Sequence, residues 1–183
     1  MTVIAAIVRL ICALNAIAGR VFSWFALAIV LVCFAVVVLR YAFGLSYVWM
    51  QDLYVWLNGA MFTSVAGFAL LRDKHVRVDV FYRNWSKRRK ALADLFGACL
   101  FLLPFAIVVT LYAQPYVGQS WGILEASSNM GGLPGLFILK AFLLAFAALL
   151  GLQGLAVLLR SVLVLAGRSE LVPADFAYGE AEG

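Results

Sequence analysis

Charge is scarce in this chain, and histidine is nearly absent. Of 183 residues, 13% are charged, one (His75) is a histidine, and 66% are hydrophobic. So little polar surface cannot cover a soluble globule, and the composition marks an integral membrane protein. A single histidine, outside the apolar runs, excludes a bound haem b held by histidines from membrane spans. Cys12, Cys33 and Cys99 lie inside apolar segments without a CxxC pair, so they read as small hydrophobes and not as metal ligands. Phosphate-binding loops and nucleophile–base pairs are missing too. The expectation is a chain that is not an enzyme, with no catalytic residue, cofactor or metal.

The basic residues that are present are concentrated. Eight of the fourteen Lys and Arg residues fall between Arg72 and Asp94. Basic flanks stay on the cytoplasmic side when a span inserts, so this interval is expected to be a cytoplasmic loop. The net charge of +5 therefore reports topology and contact with anionic phospholipids, and nucleic acid is not an implied partner.

Four apolar stretches, at about 21–39, 53–71, 95–113 and 136–159, match the roughly 20 residues that cross a hydrocarbon core. With both termini inside, twelve basic residues lie on the cytoplasmic side and two, Arg40 and Lys140, lie outside. The fold class is thus all-α: a four-span membrane domain over 20–165, an N-terminal interfacial amphipathic helix over 1–19, and a short acidic tail over 166–183. In the N-terminal segment Thr2, Arg9 and Arg20 recur at spacings that place them on one helical stripe, the pattern of a helix lying along the interface. A cleaved signal peptide is the rival reading, although its charge should precede the apolar core.

Further features follow along the chain. Tyr41 to Asp52, rich in aromatic residues, reads as a short outer connection. In the second span, small residues four apart (Gly59 with Thr63, Ala60 with Ser64) permit close helix packing. Val78, Phe81, Trp85 and Leu92 suggest a surface helix in the basic loop, and Ser86 an N-cap for the helix that follows. Pro104 predicts a kink, and the third span should end near Gln114 and Pro115, leaving an outer loop to Gly135. Lys140 is expected to stretch towards the interface, and the tail from Glu170 is expected to be disordered. No titratable group falls near a midplane, which argues against an ion pathway within this chain.

Two stretches carry a family resemblance. Trp56 to Asp79, with Trp56, Gly59 and a terminal His75-x-Arg77-x-Asp79, resembles the DctQ-type small membrane subunit of tripartite ATP-independent periplasmic (TRAP) transporters. Glu125 to Arg160, with its GGLP, Lys140 and the LQG of Leu152 to Gly154, is similar to one branch of that family. Where the family often has paired Glu residues before the second span, this chain has Gln51 and Asp52. The resemblance implies a bacterial inner-membrane partner of a large TRAP membrane subunit and a periplasmic substrate-binding protein, in sodium-coupled uptake of organic acids. Structural or partner-contact candidates are Asp52, Trp56, Asn58, Gly59, His75, Arg77, Asp79 and Glu125. Contrasting readings are a haem-free membrane anchor for a redox enzyme and a small homodimeric exporter.

Overall fold

A computed structural model describes residues 2–72 and 85–178. His75, Arg77, Asp79 and most of the expected surface helix (Val78, Phe81) lie outside the described residues. The described chain is helical, with four helices or helix pairs long and apolar enough to cross a membrane: Thr2–Phe43, Val48–Leu71, Lys87–Gly122 and Leu136–Leu165. Each expected span falls within one of them.

The first comprises α1 (Thr2–Ser23) and α2 (Phe25–Phe43), separated at Trp24, so the break lies beyond the expected division between residues 19 and 20. Ser23 Oγ donates to the Gly19 carbonyl (2.6 Å), a back-bond that often bends helices. On α1, Ala5, Val8, Ile11, Cys12, Asn15 and Gly19 are buried at helical spacing, and this face packs on the third and last long helices. No residue of α2 is buried. It ends at Gly44, whose φ of 67° is left-handed, and the Leu45 N–H closes onto the Leu39 carbonyl (3.0 Å).

α3 (Val48–Leu71) begins earlier than expected: the outer connection shrinks to residues 44–47, and Asp52 belongs to the first turns of the helix. Tyr47 is the extended residue before the helix and Trp49 lies in its first turn, because aromatic side chains suited to headgroup level do not prevent helical backbone. α4 (Lys87–Gly97) starts after Ser86, which has the extended backbone of an N-cap but makes no side-chain cap bond. A π-helical turn, Ala98–Leu102, joins it to α5 (Leu103–Gly122). There the Leu103 N–H reaches the Ala98 carbonyl five residues back. This widened turn precedes Pro104, whose ring crowds the carbonyl four residues before it, and it marks the level where a kink is expected. Pro115 does not end the helix. α5 runs through it to Gly122, giving up one backbone hydrogen bond, so the loop that follows is 123–135.

The last helix, α6 (Leu136–Leu165), is the centre of the bundle and packs against α1, α3, α4 and α5. Close approach depends on small residues. A Cβ on Gly67 of α3 would stand 2.9 Å from the Leu149 carbonyl of α6 and 2.0 Å from Asn15 Oδ1. A Cβ on Gly154 would meet Leu102 at 3.0 Å. Lipid tails provide no hydrophobic drive between helices, so this close packing is what holds them together. The small face of α3 is therefore satisfied inside this chain: Ala60 and Ser64 are buried, and Gly59 faces Leu139.

Beyond α6 the described residues 166–178 fold back, which corrects the expectation of a disordered tail from Glu170 over that stretch; residues 179–183 lie outside the described residues. Val172, Phe176 and Tyr178 are buried, and Phe176 joins the core formed by Val8, Ile11, Leu70, Leu71 and Val157. Its acidic residues suggested solvation, but the aromatic pair supplies apolar area that overrides them locally.

Candidate functional site: polar clusters at the two ends of the bundle

At the end carrying loop 123–135, Asp52 is 7% exposed and holds the loop from below. Asn129 Nδ2 donates to Asp52 Oδ1 (2.8 Å), and the Leu133 N–H donates to Oδ2 (3.0 Å). Gly132 is required there, since a Cβ would lie 2.3 Å from Asp52 Oδ2 and 2.7 Å from Ser127 Oγ. Beside it, Glu125 accepts from Ser120 Oγ (2.7 Å) and pairs with Lys140, whose ammonium stands 4.2 Å from the Tyr116 ring centroid. Lys140 thus ends on a carboxylate of the loop and on an aromatic face of α5. The Lys140 hydrogen bond, followed by that of Ser120, holds the Glu125 carboxyl below its ordinary value.

At the opposite end, Arg160 is fully buried in α6. It donates through Nη2 to Asp94 Oδ2 (2.6 Å) and through Nη1 to the Phe176 carbonyl (3.0 Å). The Phe176 and Tyr178 rings both stand 4.1 Å from its guanidinium carbon. Tyr178 donates its hydroxyl to the same Asp94 oxygen (2.9 Å) and lies 3.2 Å from Ser161 Oγ. Burial pushes the Tyr178 phenol up to about 12.

Between the two ends, Asn15 Nδ2 donates to Gln153 Oε1 (3.1 Å), linking α1 to α6, and both side chains are fully buried. Hydrogen bonds between membrane helices contribute on average about 0.6 kcal/mol. Ser64 is buried nearby on α3. No group of three or more metal-ligating side chains occurs among the described residues. A cleft of about 640 Å³ between the α1–α2 junction, α3, α5 and α6 is lined by Met61, Phe62, Phe105 and Phe146 among others, with the Ser23 hydroxyl its one polar side chain.

A family model for tripartite ATP-independent periplasmic transporters, DctQ component, matches residues 29–164. The chain belongs to this family. No curated protein and no solved structure matches it. A DctQ chain is a component of a transporter and not an enzyme, so this is a small TRAP membrane subunit, a multi-pass protein of the bacterial inner membrane. It works with a large membrane subunit and a periplasmic binding protein. Family membership removes the redox-anchor and homodimeric-exporter readings.

The sequence-derived site residues of this DctQ chain divide into three groups. Asp52 and Glu125 belong to the loop-end cluster, Trp56 and Gly59 are half-buried along α3, and Asn58 is exposed on that helix. His75, Arg77 and Asp79 lie outside the described residues. Sequence reasoning missed the Asp94–Arg160–Tyr178 cluster and the partner of Gln153. The signals available were an arginine one helical stretch before an aromatic pair, and Asn15 on the same helical face as Val8 and Ile11.

Proposed function

We propose that this chain buttresses the large TRAP subunit in sodium-coupled uptake of organic acids, and that substrate and sodium move through the large subunit. One observation supports this reading most. Between the polar clusters at the two ends, the buried polar side chains among the described residues are Asn15, Ser64 and Gln153, none of which titrates. Ion-coupled carriers place ionisable groups on the path, because such groups are costly to bury and are there for use. Of the charged side chains buried at the ends, Arg160 is paired with Asp94 and Asp52 accepts hydrogen bonds from loop 123–135, which suits architecture. Apart from the Ser23 hydroxyl the lining of the cleft is apolar, and it offers an organic anion no cationic partner.

Both termini lie on the cytoplasmic side in this reading, with the basic end of the bundle against anionic phospholipids and α1 as the interfacial helix. Asn58, exposed on α3, is the contact candidate for the large subunit, while Asp52, Trp56, Gly59 and Glu125 shape the surface that the partner meets. His75, Arg77 and Asp79 fix the turn out of α3; on this reading Asp79→Ala lowers recovery of the large subunit with this chain.

Proteoliposomes test the division of labour. The complete system should accumulate an organic acid down a sodium gradient, and omission of this chain should abolish it. Gradient-driven accumulation by this chain alone would overturn the proposal.

A further inference from the structure

Arg9 and Arg20 share one line of α1, and the positions between them on that line, Ala13 and Ala16, are small. The result is a shallow trough with a guanidinium at each end, its α-carbons about 16 Å apart. This trough forms one side of a cavity of about 280 Å³ at the basic end of the bundle. Arg72, at the end of α3, adds a third guanidinium to the lining, and Pro173, Ala174 and Phe176 of the folded tail complete the wall. Among the described residues, no side chain of these three arginines makes an ion pair or a hydrogen bond; Arg72 lies against the Phe68 ring, 5.4 Å from its centroid.

Three guanidiniums without a counter-charge among the described residues, around an apolar floor, suit an anion that also carries apolar substance. Arginine forks suit phosphate oxygens, and basic pockets between membrane helices bind headgroups with several phosphates. We propose that this cavity binds the headgroup of an anionic phospholipid carrying two phosphodiesters, with Arg9, Arg20 and Arg72 on the phosphates and the Ala13–Ala16 trough under the glycerol carbons. Free phosphate shares the anionic chemistry but has no use for the apolar floor. The inference rests on the proposed contact of the basic end with anionic lipid, and it assigns that contact a defined site separate from the Lys87–Lys90 run.

The delipidated full chain in mild detergent can be titrated, with native mass spectrometry as readout, against diphosphatidylglycerol, phosphatidylglycerol, phosphatidylcholine and inorganic phosphate. Diphosphatidylglycerol should bind at least tenfold tighter than phosphatidylglycerol. The variant Arg9→Gln/Arg20→Gln/Arg72→Gln should lose at least tenfold, and Arg88→Gln/Arg89→Gln should change binding less than twofold. Should the triple variant fail to fold, Ala13→Phe, at an exposed position, fills the trough with all charges kept and should cost the same tenfold. Unchanged binding in Ala13→Phe, or loss only in Arg88→Gln/Arg89→Gln, overturns the site while leaving the wider lipid contact standing. Absence of any anionic preference in the unaltered chain overturns both. Phosphate displacing the lipid at equal concentration overturns the lipid assignment.

Discussion

The two ends of the bundle solve the same problem, a charge near the edge of an apolar helix, in different ways. At the loop end, Asp52 and Glu125 collect donors from a thirteen-residue connection, 123–135, and from the start of α6. At the basic end, Arg160 is enclosed by residues from α4 and the tail, with two aromatic rings on its guanidinium. The first arrangement uses carboxylates to shape a loop, so its loss should be local. The second buries a cation, so its loss should reach the whole bundle.

The largest effect should come from separating the buried pair. Asp94→Ala strands Arg160 and should lower stability by about 3–5 kcal/mol, whereas adding Arg160→Met should restore most of it, because apolar replacement of both partners removes the desolvation penalty. Thermal unfolding in detergent checks this, and an additive double variant would show that the pair does not act as a unit. Asp52→Ala should cost less, about 1.5–3 kcal/mol, the scale of hydrogen bonds to a charged group. Its mark should be faster proteolysis confined to residues 123–135, and cleavage spreading to the tail would erase the contrast between the ends.

The smallest effects are those of pH, and they have opposite signs. Tyr178 titrates near 12 against an ordinary 10.0, so the fold favours the neutral phenol. That contribution is intact below pH 10 and disappears as pH rises to 12. Glu125 is held below its ordinary 4.5, so its contribution is intact above 4.5 and disappears as pH falls through the depressed value. Melting temperature against pH should therefore lose its alkaline decline in Tyr178→Phe and soften its acid decline in Glu125→Gln.

Much of the architecture was legible because charge-free runs of spanning length leave few alternatives, and all four spans fall where such runs lie. Helix ends were less so. Pro115 and the Tyr47–Trp49 aromatics carry signals for turns and interfaces, yet a helix with neighbours on one side tolerates both. The site was legible in part. Asp52 and Glu125 stood out as isolated acids, but the partners of Asp52, Asn129 and the Leu133 N–H, sit in a loop that turns through Gly131 and Gly135 at positive φ, and those of Glu125, Ser120 and Lys140, come from two different helices. Arg160 resembled an ordinary basic flank, since nothing local in LLRSV announces that Phe176 and Tyr178 will cover it. Contacts formed by the chain returning on itself leave no periodic trace.

The enclosure of Arg160 has a consequence in time. Phe176 and Tyr178 follow Arg160 in the sequence, so α6 is synthesised before the rings that cover its cation. A chain stopped at residue 170 would keep Asp94 as the partner of Arg160 but lack the Phe176 carbonyl and both rings, leaving one side of that guanidinium uncovered.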